Sequence, residues 1–247
     1  MTPLNIVYED DSLLVVDKPA GLLMHPSWLD KRETDTLAGR VKEYLSISGD
    51  NVKVHTVHRL DRPTSGLVVI SKDAIVARTL SEQFVSGDVK KTYWAICRGF
   101  APEQGLIDYP LIEEHDKIAD KFAASDKPAQ EARTQFHRLG IAELSLPVSK
   151  YNKMRLSWLE CQPFTGRKHQ IRRHLKHIRH PIIGDTRHGC RHHNKECAAE
   201  LGITSLALRA VKLEFTHPVT DFPLKLEAPL DERWQAWFET LGWVREC

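Results

Sequence analysis

Runs of apolar residues along the chain mark several short strands and a few amphipathic helices. Leu13 to Asp17 (LLVVD) is a β-rich run, and Lys18-Pro19-Ala20-Gly21 is a turn signature that stops it. Leu67 to Ile70, Lys91 to Cys97 (KTYWAIC), Met154 to Cys161 (MRLSWLEC) and Leu206 to Phe215 (LALRAVKLEF) read as further strands, by alternation or by β-branched and aromatic content. Helical spacing appears over Thr34 to Leu45, with Leu37, Val41 and Leu45 on one stripe, and over Asp73 to Phe84, through Ala77, Leu80 and Phe84. A last helix is expected over Asp231 to Trp243, burying Trp234, Trp237, Phe238 and Leu241 as core rather than as base-stacking platforms. The strands follow no regular βαβ rhythm, so the pattern predicts an α+β fold around a mixed, largely antiparallel sheet. Positions 113 to 133 are charged and poor in large apolar residues, which predicts a surface excursion.

Composition narrows the class of protein. At 247 residues and 41% hydrophobic content, the chain can bury one large core or two small ones. Its 35 Lys+Arg against 33 Asp+Glu leave little net field, so an anionic partner has to be met by local basic clusters. Five scattered cysteines without CxxC spacing read as reduced thiols of a cytoplasmic protein. No apolar run approaches the roughly 20 residues that span a bilayer, and no membrane partner is expected.

Two segments carry the chemistry. His58-Arg59-Leu60-Asp61-Arg62-Pro63-Thr64-Ser65-Gly66 gathers ionisable, hydroxyl and turn residues between two β-like runs. Pro63 biases Arg62 towards extended geometry and Gly66 permits a tight return, so Asp61 belongs on a constrained loop that can present a carboxylate. On the residues alone, an Asx-turn with Thr64 is the ordinary role for such an aspartate and outweighs catalysis. The second segment runs from Thr165 to Leu175 (TGRKHQIRRHL) and on to His180-Pro181-Ile182-Ile183-Gly184-Asp185. Thr165 is expected to cap a helix whose buried stripe is Ile171, Leu175 and Ile178. Lys168 and Arg172, four residues apart with His169 nearby, would then share an exposed face offering cations to phosphate or carboxylate. Such a stripe is usually just solvated, but five Lys or Arg among Arg167 to Lys176 favour RNA contact.

In four ordered places the chain resembles the RluA-type family of RNA pseudouridine synthases: VVDKPAGLLMHP, HRLDRPTSGLVV, KTYWAICRG and TGRKHQIRRHLKHIRHPIIGD. HPSWLDKR and EEHDKIADKFA are similar to members that act on uridine 65 of tRNA. The resemblance implies that Asp61 is the nucleophile and that Arg59 displaces the target base from its stack. It implies that Tyr93 packs on the flipped uracil and takes part in proton removal, that Arg172 pairs with the catalytic carboxylate, and that Leu208 closes the pocket. Lys18, Arg62, Arg167, Lys168 and His169 would contact the RNA. It also implies one catalytic domain over 1–247 without an S4-type RNA-binding domain, an RNA partner (a tRNA before ribosomal RNA), no cofactor, and action as a monomer. The chemistry agrees, because the isomerisation conserves every atom and needs a nucleophile and proton handling, with attack on the sugar carbon or on the uracil ring both meeting that need. Extrusion of the base costs a few kcal/mol, which an inserted Arg and an aromatic wall can offset.

Three rival readings bear on this. His188, Cys190, His192, His193 and Cys197 offer metal-ligand types, but their spacing matches no common closed zinc pattern, so a flexible RNA-facing loop is expected and no metal. A non-catalytic RNA-binding module would have little use for Asp61, Tyr93 and Arg172 together. His25, His55 and His58 read as loop or packing residues, with His58 orienting the HRLD loop by a hydrogen bond. For Lys18 an ordinary turn role stands level with a phosphate contact.

Overall fold

A computed structural model describes residues 4–26, 34–47, 53–114 and 128–243. In chain order these form β1 (Ile6–Glu9), β2 (Leu13–Lys18), α1 (Leu37–Ile47), β3 (His55–Thr56), β4 (Ser65–Ser71) and α2 (Ala74–Ser86). Then come β5 (Lys90–Arg98), β6 (Gln104–Asp108), β7 (Arg133–Leu144), β8 (Met154–Pro163) and α3 (Gln170–His177). The chain ends with α4 (Arg191–Leu201), β9 (Leu208–Thr216), β10 (Pro223–Glu227) and α5 (Glu232–Leu241). This is the expected α+β fold, with antiparallel pairing dominant and an isolated parallel bridge between Leu23 and Thr36. The chain divides into two compact units, one of Met1–Lys91, Ile112–Ala129 and Ala210–Ala228, the other of Thr92–Leu111, Gln130–Arg209 and Pro229–Cys247.

In the first unit the strands run in the order β1-β2-β4-β9, with β3 on β4 and β10 on β9. Every residue of β2 and β4 is buried, which is why both read as unbroken apolar runs rather than as alternating strands. Leu13, Val15, Leu67 and Val69 pack with Val76 and Leu80 of α2 and with Leu213 and Phe215 of β9. Asp73 starts α2 as its N-cap, its side chain accepting from the Ile75 and Val76 amides, and Gly87 ends it in the left-handed conformation.

The second unit carries β5-β8-β7-β6 in antiparallel succession. Against this stands the predicted C-terminal helix, α5, whose Trp234, Trp237, Phe238 and Leu241 are all buried. Trp158 and Phe238 approach to a centroid distance of 4.4 Å and Trp94 meets Trp158 edge-on at 5.1 Å, so the aromatic residues are core. Asp231 caps α5 through the Trp234 amide and also receives the buried Arg209 guanidinium at 2.8 Å.

Several local expectations are corrected. The Cys/His-rich stretch is not a loop, because Arg191–Leu201 forms α4 with His193 and Cys197 buried on it. Thr165 does not cap the GRxHQxR helix: α3 begins at Gln170 behind a left-handed His169, and the Thr165 hydroxyl donates to Gln170 Oε1 at 2.7 Å instead. Lys168 therefore precedes the helix and shares no helical face with Arg172. Most of the 113–133 excursion lies outside the described residues.

Candidate active site

The strand register of the first unit delivers the HRLD loop. Lys18, the last residue of β2, stands opposite Gly66 of β4, so both strands end beneath the loop. The Lys18 ammonium is fully buried and donates to three carbonyls, Pro19 at 3.0 Å, Leu22 at 2.9 Å and Arg62 at 3.2 Å. A buried ammonium is tolerated only when its donors are satisfied in this way. Lys18 is thus a clasp on the Asp61 loop, and this burial corrects the expectation that it meets phosphate. The same anchor point is held twice more, by Gly21 N–H donating to the Arg62 carbonyl at 2.8 Å and by Arg62 Nε donating to the Gly21 carbonyl at 3.0 Å. The turn itself closes through the main chain, Thr64 N–H to the Asp61 carbonyl at 3.0 Å. Asp61 is half-buried between the buried Leu60 and the exposed Arg62, and Arg59 is exposed.

Gly66 allows the return of the loop into β4. Its φ is +113°, and a Cβ there would lie 2.1 Å from the Ala210 carbonyl oxygen. His58 braces the other side: Nε2 accepts from the Val69 amide at 2.9 Å, and the ring stacks on Phe84 at 4.4 Å. The proton of the neutral ring is thereby placed on Nδ1. Burial, with a smaller contribution from Lys91, pushes the imidazole down to about 3, which keeps it neutral in its orienting role.

The second unit presents Tyr93, Arg172 and Leu208. Tyr93 lies on β5 opposite Cys161 of β8 and is half-buried. Arg172, on α3, is 4% exposed, so it is not part of a solvent-facing stripe. Asp185 grips it in a fork, Nε donating to Oδ2 at 2.7 Å and Nη2 to Oδ1 at 2.9 Å. Asp185 Oδ1 also accepts from the Arg187 and His188 amides, both at 2.9 Å. Burial opposes its ionisation, yet Arg172 and the two amides outweigh that and hold the carboxyl below its ordinary range. Leu208 opens β9 and is buried.

Asp185 reaches Arg172 because the preceding turn is fixed. Ile183 N–H donates to the Ile96 carbonyl on β5 at 2.9 Å, and the Ala207 amide donates back to Ile183 at 2.9 Å. Gly184, at φ +76°, passes so close to Ser205 that a Cβ would lie 2.0 Å from its carbonyl oxygen. Asn194 of α4 then ties the turn, its Oδ1 accepting from Gly184 N–H at 3.0 Å and its Nδ2 donating to the Asp185 carbonyl at 2.9 Å.

The TGRKHQ turn is built around Gln170. Its amide donates to the Arg133 carbonyl at 2.9 Å and Thr134 Oγ1 at 3.1 Å, and its oxygen accepts from the Arg167 amide at 3.0 Å. This leaves the Arg167 and Lys168 side chains exposed, the former donating from Nε to the Glu131 carbonyl at 3.1 Å. His169, half-buried, meets His188 across 3.0 Å between Nδ1 and Nε2.

Taken by itself, the first unit offers a half-buried carboxylate on a held loop beside the exposed Arg59, groups that suit nucleophilic chemistry on an anionic substrate, and the second unit holds the half-buried Tyr93 and the clamped Arg172. The model of RNA pseudouridylate synthase matches residues 12–177. The chain belongs to the RNA pseudouridylate synthase family. As an RNA pseudouridylate synthase it is an enzyme that isomerises uridine in RNA. Among its relatives, tRNA pseudouridine synthase C of Pectobacterium carotovorum subsp. carotovorum is 45% identical over 98% of this chain, which spans 63% of that protein. The protein of that name from Vibrio cholerae is also 45% identical, over 97% of this chain and 96% of its own length. The solved structure of human RNA pseudouridylate synthase domain containing 4 superposes with a TM-score of 0.73 at 26% identity, covering 96% of this chain and 93% of that one.

Two positioning residues of this pseudouridylate synthase escape a reading of the sequence. Asp185 follows Arg172 by thirteen positions in the IIGD turn, and only the tertiary path shows it to be the partner. Gln170 sits inside the GRxHQxR signature, where its double hydrogen-bonding capacity was the available signal.

Proposed function

We propose that this enzyme converts a uridine of tRNA, specifically uridine 65, to pseudouridine, with Asp61 as nucleophile. The observation that carries the reading is the loop held at Arg62 by Lys18 Nζ, by the Gly21 amide and by its own Nε on the Gly21 carbonyl: burying an ammonium to fix Arg62 makes sense where the neighbouring carboxylate must be presented in one geometry. The tRNA substrate rests on the printed names of the relatives.

In this mechanism Arg59, exposed on the loop, enters the stack as the target base leaves it, and Tyr93 faces the extruded uracil. Asp61 adds to the substrate, the N1–C1′ bond breaks, the ring turns, C5 bonds to C1′, and the bond to Asp61 breaks to restore the carboxylate. C5 then loses its proton, with Tyr93 assisting, while N1 gains one, so atoms and charge balance without a cofactor. In this reading Arg172 is the partner of the catalytic carboxylate, supplying a charge that does not itself titrate. Asp185 fixes the plane of that guanidinium through Nε and Nη2. Leu208 closes the uracil pocket, and Arg62, Arg167, Lys168 and His169 meet the RNA. The enzyme works in the cytoplasm as a monomer; among the described residues no helix is long and apolar enough to cross a membrane.

The test is pseudouridine mapping on bulk tRNA and on ribosomal RNA, each incubated with the purified full chain. Product at position 65 of tRNA is the expected result. Product confined to ribosomal RNA would replace the substrate, and no product in either would replace catalysis by binding.

A further inference from the structure

Beyond the residues of the reaction, the second unit contains a basic cleft. Arg98, Lys153, Arg155, Arg179, His180 and His193 line a space of 430 Å³, and no carboxylate is among the lining residues. That volume admits a phosphate with its flanking sugar. Arg98 ends β5, five residues beyond Tyr93, which places the cleft roughly 17 Å along the strand from that residue. Lys153 and Arg155 share Glu143, at 2.5 and 2.8 Å, whereas among the described residues no carboxylate pairs with Arg98 or Arg179.

The backbone at Arg179 gives a second, independent signal. This residue follows α3 and its C-cap Ile178 at φ +67°, in the left-handed region where a side chain is strained. The end of the helix is closed by Arg179 N–H to the Lys176 carbonyl at 2.9 Å and His180 N–H to the Leu175 carbonyl at 2.8 Å. Glycine is the residue such a position favours, so an arginine there brings a cation at a cost in backbone energy. Arg98 Nη2 donates to the Arg179 carbonyl at 3.3 Å, tying the two cations together. His193, 6% exposed, has Nδ1 within 3.3 Å of Cys190 Sγ, and its Nε2 has no hydrogen-bond partner among the described residues. A neutral imidazole edge beside clustered guanidinium groups suits the oxygens of a phosphodiester.

We propose that this cleft is a second RNA subsite, in which Arg98, Arg155 and Arg179 hold a backbone phosphodiester of the substrate distant from the target nucleotide. The proposal rests on the RNA-modifying reading above. It gives the enzyme a grip on the shape of its substrate that base contacts at the target alone cannot supply.

Arg179→Gly separates function from folding, because it removes the cation while relieving the strained backbone. The variant should melt no lower than wild type. Its affinity for a tRNA transcript should fall about five- to eight-fold at 0.1 M monovalent salt, and the slope of log affinity against log salt should become shallower by about 0.7–0.9. Arg155→Gln should do the same. In single-turnover pseudouridine formation both should raise the RNA concentration for half-maximal rate and leave the saturating rate unchanged. Inorganic phosphate, titrated while the His180 and His193 ring signals are followed by NMR, distinguishes a free anion from an RNA phosphate. Shifts with phosphate but wild-type RNA affinity in both variants would overturn the subsite, as would an unaltered salt slope. Product formation by the wild type keeps the two readings apart: if it makes no product in any RNA, the catalytic reading fails, while the effect of Arg179→Gly on RNA affinity still stands or falls by itself.

Discussion

Replacing Asp185 by Asn tests whether the buried fork organises the site. The substitution keeps shape but removes the charge and turns an amide N–H towards the guanidinium of Arg172, which is 4% exposed. Breaking a buried pair by removing one partner costs about 3–5 kcal/mol. For a chain of this length about 1 kcal/mol moves the melting midpoint by roughly 2–4 °C, so the drop should be roughly 6–20 °C. Tryptophan fluorescence reads mainly the relevant unit, since five of the six tryptophans, Trp94, Trp158, Trp234, Trp237 and Trp243, belong to the second one. The effect must also depend on pH. The folded carboxyl of Asp185 is held below its unfolded value, so its contribution is present above about pH 4 and is lost as pH falls through the folded value. Wild type and variant should therefore converge in acid and separate most at neutral pH. A midpoint within about 2 °C of wild type at pH 7, or a gap that does not change with pH, would refute the reasoning.

Gly66→Ala should be severely destabilising, because its Cβ would lie 2.1 Å from the Ala210 oxygen at φ +113°; a wild-type urea midpoint would show that the backbone yields there. His58 should show no protonation by NMR until well below pH 4.5, since burial holds it at about 3, and a transition near pH 6.5 would contradict its placement. Because the unfolded imidazole takes up its proton first, this residue makes the fold less stable as pH falls from about 6.5 towards 3. Of the described cysteines, Cys190 should alkylate first: although burial opposes its ionisation, the His193 amide and Arg98 lower its pKa. Cys97 and Cys161 are fully buried and their thiols are pushed up, so rapid native labelling of either, read by mass spectrometry, would contradict the burial.

The central strands and the signature loop were legible because burial on both faces writes itself as continuous apolar runs, and because Pro63 and Gly66 punctuate the HRLD segment. β6 and β7 were not, since half of β7 is exposed and its inward positions include Thr134 as well as Phe136, which weakens the apolar alternation. α4 begins Arg-His-His-Asn-Lys, a composition that reads as loop, and becomes helical because His193, Cys197 and Leu201 find a buried face. The role of Lys18 was hidden for a general reason: lysine is rarely buried, and only the three converging carbonyls make it so here. Arg172 was singled out by the signature, but its placement on an exposed stripe assumed a helix starting too early, and its partner Asp185 depends on the Gly184 turn that no local pattern encodes.

The most direct test of the account compares wild type with Asp61→Asn on one tRNA substrate, measuring pseudouridine and RNA affinity in the same samples. Loss of product with affinity within about two-fold of wild type (under 0.5 kcal/mol) is the expected result and identifies Asp61 as a group that reacts rather than binds. Continued product formation at the wild-type rate would contradict the central claim, leaving Asp61 as the turn residue that its loop would otherwise suggest.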